Sequence, residues 1–273
     1  MLMRLMRIVV ALLTVATAVA FTVVFTRVNI LSDKTIPVIS VDGEKIDVSV
    51  NATDEDLLKG VTAFDEKDGD ITDRIIVESI SKFSKTGYCK VVYVVSDYDN
   101  HVSIATRQIH YTDYTPPKFT LRIPLVFSNY GTVNIVGKIG AKDVLDGDIS
   151  QNVILYSPDF EADKVGSYTL IATVMNSKGD TAELKLPVTV EKTTRETPQI
   201  ELSDYLVYVK RGQNVNWKKF IRETTNFEGL IEDLDVSVST DFNKNKPGTY
   251  VVDYYTTDER GAKGHTALIA IVQ

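Results

Sequence analysis

Three glycine-led segments repeat along this chain and limit its fold more than any other feature of the sequence. They are GYCKVVYVVSD from Gly87, GSYTLIATVMN from Gly166 and GTYVVDYYTTD from Gly248. Each reaches Asp or Asn ten residues on, at Asp97, Asn176 and Asp258, and a turn former three residues later, at Asn100, Gly179 and Gly261. Upstream, Gly69, Gly147 and Gly229 precede the lead glycines by 18, 19 and 19 residues, and the copies stand 79 and 82 residues apart. Agreement at this many points marks a structural unit copied in series.

The alternation inside each copy identifies a half-buried strand. Cys89, Val91, Tyr93 and Val95 share one face, as do Tyr168, Leu170, Ala172 and Val174, then Tyr250, Val252, Tyr254 and Thr256. The Asp-x-x-Asn/Gly block turns the chain, and a last strand follows: VSIATRQIHY, TAELKLPVTV, TALIAIV. Each copy opens on a short strand, near PVISVD, KFTLRI and QIELSD, and DEDLLKGVTAFD in the first copy leaves room for one helical turn. Several short strands with turn signals between them predict a β-sandwich per copy. The boundaries are 37–113, 116–192 and 197–273, joined by YTDYTPP (111–117) and EKTTRETP (191–198). Proline after a polar run keeps these joints out of either sheet.

A different kind of segment stands first. Nineteen uncharged residues run from Ile8 to Thr26. As a helix they span about 28 Å, close to the ~30 Å hydrocarbon core of a bilayer. The four threonines are tolerable because their hydroxyls can bond back to the helix backbone. Residues 1–7 read as a cytoplasmic tail, 8–27 as a transmembrane helix and 28–36 as a linker. Arg4 and Arg7 precede the span, while Arg27, Asp33 and Lys34 follow, so the positive-inside bias places the N-terminus in the cytoplasm and the body outside. The competing reading is secretion after cleavage of a signal peptide at AVA, Ala18–Ala20, although the apolar run continues six residues past that point.

Charge narrows the partners. The chain carries −7 in total, and residues 28–273 carry −10. Such a body repels phosphate backbones, so no nucleic acid partner is expected. A single cysteine, Cys89, excludes an intrachain disulfide, so each sandwich must hold through its own core. Cys89 aligns with Tyr168 and Tyr250 inside the expected core, where a thiol is inert. The Asn51–Thr53 triplet fits a glycosylation acceptor formally and reads as chance. LPVTV at Leu186–Val190 is similar to a wall-sorting motif, but Val190 stands where glycine is needed.

The stretches DEKDGDIT … GYCKVVYVVSDYDNHV and DVLDGDIS … GSYTLIATVMNSKGD resemble the bacterial immunoglobulin-like repeats of surface proteins and certain pesticidal crystal proteins. The resemblance covers residues 37–273 in three copies. It is weaker in the third, where Thr225, Glu228, Gly229 and Leu230 replace the Asp, Asp, Gly, Asp set. It implies an all-β chain of three tandem immunoglobulin-like β-sandwiches, preceded here by the N-terminal transmembrane helix. It also implies an extracytoplasmic location, with no single activity attached.

The acidic turns invite a calcium reading, with Asp65, Asp68 and Asp70 in the first copy and Asp143, Asp146 and Asp148 in the second as candidate ligands. They fail the spacing of an EF-hand loop. Aspartates at the head of a turn bond to amides two residues on, and glycine supplies a positive φ. Ile71 and Ile149 would then begin a new strand. The third copy keeps Gly229 and Ile231 while losing acids, so a structural turn is the preferred reading and calcium the alternative. No other cofactor is expected. Cadherin-like calcium at the joints is disfavoured, since they offer only Asp113, Glu191 and Glu196.

The remaining signals are weak. His101, His110 and His265 lack metal-ligand spacing, and no nucleophile motif or phosphate loop is present. The chain is therefore expected not to be an enzyme. Trp217 lies eight residues before Thr225, as Leu57 and Ile135 lie before Asp65 and Asp143, so it reads as core. The third copy carries basic VKRGQNVNWKKFIR (209–222), either a solvated face or a contact surface at the tip, farthest from the membrane. The expected function is a membrane-anchored adhesion, interaction or spacer element at the cell surface. The alternatives are a carbohydrate-binding surface module and a structural subunit of an envelope complex.

Overall fold

The computed structural model describes residues 2–31, 34–130, 135, 137–157, 159–193 and 197–273. It is built of β-sheets preceded by one apolar helix, Leu2–Leu31. The helix overruns the expected span at both ends, taking in residues 2–7 and 28–31. No glycine or proline occurs before Pro37 to stop it. Its threonines behave as their chemistry requires. The hydroxyls of Thr14, Thr17, Thr22 and Thr26 donate to the carbonyls of Ala11, Leu13, Ala18 and Thr22 at 2.6–2.9 Å. Asp33 and Glu196, used in the orientation and joint readings, lie outside the described residues.

The chain divides into two compact units, Met1–Ser81 with Tyr88–Tyr111, and Lys82–Gly87 with Thr112–Gln273. In the first, Val38–Val41, Val61–Asp65 and Gly69–Asp70 form one sheet. The second sheet runs in the order Lys45–Val48, Val102–Tyr111, Tyr88–Ser96, Ile76–Ile80. The opening segment serves both sheets. Its first half pairs antiparallel with Val61–Asp65, and its second half pairs parallel with Val102–Tyr111. Cys89, Val91, Tyr93 and Val95 all point into the core, as their alternation requires. The one-turn helix Asp54–Leu57 is closed by a capping box, with Thr53 and Asp56 each satisfying the other's backbone N–H. It drives Leu57 into the core, and the buried Tyr93 hydroxyl donates to the Leu57 carbonyl at 2.7 Å.

The same wiring occurs twice in the second unit. Lys118–Leu121, Ile139–Asp143 and Gly147–Asp148 face a sheet ordered Ile154–Tyr156, Gly166–Met175, Thr181–Glu191, Val126–Ser128. Gln199–Leu202 and Ile221–Thr225 face Leu206–Val209, Lys263–Val272, Gly248–Thr257 and Val236–Thr240. Pro187 interrupts no ladder. It lies two residues before Thr189, whose N–H bonds Leu125 on the side of the short parallel strand, so its missing donor faces a stretch that strand does not reach.

Two expectations fail here. Ile71 and Ile149 do not begin strands; each precedes a 3₁₀ turn, Thr72–Arg74 or Ser150–Asn152, and the strands start at Ile76 and Ile154. Both isoleucines are buried, and the turn is what lets them point inward. Ile231, aligned with them by the glycine, is exposed: its bridge to Thr225 repeats that of Asp70 to Phe64, so it stands at the outward-facing Asp70 position.

The sandwiches of the second unit also do not keep separate cores. The final strand Lys263–Val272 is buried on both faces. Leu268 and Ala270 pack into the third sandwich with Ile200, Phe220, Val252 and Tyr254. Ile269 joins the core of the second, where Tyr205, Leu206, Val251 and Ile271 pack against it. TALIAIV is apolar on both sides, the pattern of a strand covered twice. Gly264 allows the close seat: a Cβ there would stand 2.2 Å from the carbonyl oxygen of Pro198.

Candidate interaction site

The acidic turns resolve into amide-binding turns. One oxygen of Asp65 accepts from Lys67 N at 2.9 Å and Asp68 N at 3.0 Å, and Asp143 does the same for Leu145 and Asp146 at 2.8 and 3.1 Å. Asp70 and Asp148 accept from Thr72 N and Ser150 N. The hydroxyl and amide of the following Thr or Ser hold both carboxyls below the usual aspartate range. Asp68 and Asp146 reach across to the second turn, accepting from Tyr98 N at 2.9 Å and Ser177 N at 2.6 Å. Among the described residues, no group of three or more His, Cys, Asp or Glu side chains is placed to hold a metal ion.

The second turn is built alike in all copies. Asp97 accepts from Asp99 N and His101 N, Asn176 from Asp180 N, and Asp258 from Arg260 N and Ala262 N, all at 2.7–3.0 Å. Asn100, Gly179 and Gly261 take the positive φ that closes each turn, at 71°, 81° and 80°. Burial opposes the Asp97 charge, but the His101 and Asp99 amides and the His101 ring outweigh it and keep the carboxyl low. In the second copy Asn176 donates to Asp143 at 3.2 Å and to the Tyr114 hydroxyl at 2.9 Å, tying the two turns together. The third copy replaces the lost aspartate one residue on. Asn226 accepts from Glu228 N and Leu230 N at 2.9 and 3.1 Å, a substitute the alignment at Thr225 conceals.

Each histidine rests on a carboxylate. His101 faces Asp97 at 2.6 Å and His110 faces Asp47 at 2.8 Å. His265 is held between two, Glu191 of the second sandwich at 2.8 Å and Asp253 of the third at 3.0 Å. Burial lowers its pKa, yet the paired carboxylates prevail and the result is a raised value. Spacing along the chain gave no hint of this, since Glu191 is 74 residues away.

Cys89 is buried, as its place in the alternation implies. Trp217 is half-buried against the third core, edge-on to Phe242 at 4.8 Å. Its carbonyl accepts from the Tyr254 hydroxyl at 2.9 Å, repeating the Tyr93 to Leu57 bond of the first copy.

The basic segment of the third copy meets a second basic loop. Gly212 N donates to Lys244 O at 2.8 Å, Arg211 Nε to Asn245 O at 2.9 Å, and the Lys244 amine to Asn214 Oδ1. Lys210, Arg211 and Lys246 are exposed, as are Asn214, Asn216, Asn243 and Asn245. Beside these loops the third sandwich meets the second. Asp241, Thr249, Tyr250 and Val251 share a shallow groove with Thr169, Lys185 and Pro187 of the second sandwich. Lys218 and Arg222 turn elsewhere: Lys218 lines a groove with Glu232 and Asp235, and Arg222 pairs with Glu201 at 2.8 Å.

These features define a class, a repeat chain of β-sandwiches with amide-holding end turns behind an apolar N-terminal helix. No family model matches the chain. It is similar to the pesticidal crystal protein Cry22Aa of Bacillus thuringiensis, 27% identical over 256 residues, covering 85% of this chain and 33% of that protein. It is also similar to an uncharacterized 81.3 kDa protein of Acholeplasma phage L2, 26% identical over 188 residues, covering 63% of this chain and 24% of that protein. The chain thus spans a quarter to a third of these relatives. Among solved structures, it overlaps CBM51-2 in complex with GlcNAc and INT domains from Clostridium perfringens ZmpB at 22% identity and a TM-score of 0.24, over 56% of this chain and 41% of that one. Drosophila N-cadherin EC1-4 overlaps at 13% identity and 0.24, over 89% and 76%.

Proposed function

We propose that this chain is a bacterial immunoglobulin-like repeat protein, tethered by its N-terminal helix, whose sandwiches act outside the cytoplasm as a non-catalytic interaction or spacer element. The carrying observation is the segment Met3–Arg27, whose mean hydropathy reaches 2.7 over its most apolar stretch, where no residue is buried. An apolar helix left uncovered in water would be costly, whereas in lipid it is at home. The sandwiches support the non-catalytic part of the reading. Their titratable side chains at the turns are occupied in holding backbone amides, which suits a scaffold better than an active site.

The test is made on the full chain in cells. Membrane fractionation with N-terminal sequencing, then protease treatment of intact cells, should find an uncut chain in the membrane with its body accessible. A soluble chain beginning at Phe21 would favour secretion, and a body protected from protease would reverse the orientation. Capture on intact cells and wall fractions then asks whether the element binds or only spaces.

A further inference from the structure

Resting on the interaction reading above, the two joined loops at the end of the third sandwich name a ligand chemistry. Lys210, Arg211, Lys244 and Lys246 stand together there, and Lys185 lies across the adjoining groove. The one acid in residues 210–217 and 241–247 is Asp241, while the chain as a whole carries −7. A local reversal of sign on an acidic body attracts anions to one place and repels them elsewhere. The loops are rigidly built: Arg211 N donates to Gln273 O at 3.0 Å, Lys246 N to Asn243 O at 3.2 Å, and the Tyr250 hydroxyl to Lys246 O at 2.9 Å. Trp217, Phe242 and Tyr250 form an edge-to-face aromatic base beneath them, with centroids 4.8 and 5.5 Å apart. Four exposed asparagines, Asn214, Asn216, Asn243 and Asn245, are interleaved with the cations, and each amide can both donate and accept.

We propose that these loops bind a polyanionic carbohydrate, a chain of hydroxyl-rich sugars bearing carboxylate or phosphate groups at intervals. The cations meet the charges, and the asparagines meet the hydroxyls between them. Duplex nucleic acid suits the surface less well. It carries about one charge per 1.7 Å of axis, a continuous density that the chain's net charge of −7 opposes, and the aromatic rings are half-buried rather than offered for stacking on bases.

The experiment uses purified full-length chain in neutral detergent, with retardation measured in gels containing polygalacturonate, poly(glycerol phosphate), neutral dextran or duplex DNA, and co-sedimentation measured with phosphatidylglycerol against phosphatidylcholine vesicles, so that partition of the apolar helix is subtracted. Binding to either charged polymer, absent with dextran and falling with salt, is the expected result. The exposed double variant Lys210→Gln/Lys246→Gln should weaken it roughly tenfold. Lys90→Gln/Lys164→Gln, an equal charge change elsewhere, should leave it intact. No binding to either charged polymer, equal loss in both double variants, or DNA binding, or an excess of phosphatidylglycerol over phosphatidylcholine vesicle binding, that matches binding to the polymers would overturn the proposal. Any of these would leave the tethered-body reading standing, because that reading is judged by membrane location and protease access in cells.

Discussion

Asp65 and Asp143 each spend one buried oxygen on two backbone amides. Alanine at either site leaves those N–H groups without their acceptor, so Asp65→Ala or Asp143→Ala should cost about 1–3 kcal/mol, read as a lower urea midpoint at unchanged slope. Because amides satisfy these acids, EDTA should leave the melting temperature of the full chain where it was. A fall of several degrees would restore the calcium reading. Tyr93 and Tyr254 anchor the first and third copies by donating to Leu57 O and Trp217 O, and Tyr93→Phe should cost about 1 kcal/mol. At the same point in the second copy stands the fully buried Ala172, which has no hydroxyl to make that bond.

At the scale of single elements, the long hairpins were readable because a period of two with β-branched and aromatic residues leaves few alternatives. The parallel half-strands Lys45–Val48, Val126–Ser128 and Leu206–Val209 were not, since three or four residues carry no period, and their partners lie some sixty residues on. The third acidic turn misled for another reason: Asn226 does the work of an aspartate from the neighbouring position. TALIAIV did hold the signal of double burial, which the glycine-based alignment passed over. That strand carries His265, whose ring also stacks on Tyr255 at 4.4 Å and shares its groove with Lys263 and Glu223. Only the doubly protonated imidazole can donate to Glu191 and Asp253 at once. Its folded pKa is raised from 6.5, so its stabilisation is complete below about pH 6.5 and disappears as pH climbs through the folded value. His265→Gln should therefore cost about 1–3 kcal/mol at pH 6 and clearly less at pH 9, measured by thermal melts at both. Gly264→Ala tests the seat beside it. A methyl 2.2 Å from Pro198 O must displace backbone, and a loss of about 1–3 kcal/mol is expected in the same melts.

For the molecule as a whole, the proposed membrane tether rests on the N-terminal helix. Val15→Arg places a charge near the middle of the apolar span at an insertion cost of about 2.5–3.5 kcal/mol. The chain should then shift from the membrane pellet toward the soluble fraction, whereas Ser157→Arg in the body should not move it. The two-faced strand Lys263–Val272 bears on how the proposed tether would answer to tension. With Ile269 lodged in the neighbouring sandwich, opening either member of that pair strips apolar cover from the other. Stretched between two handles, residues 112–273 should give way in a single rip, releasing on the order of 500 Å of slack at ~3.5 Å per residue. Two equal, smaller sawteeth in the force trace would mean that the shared interior transmits no load.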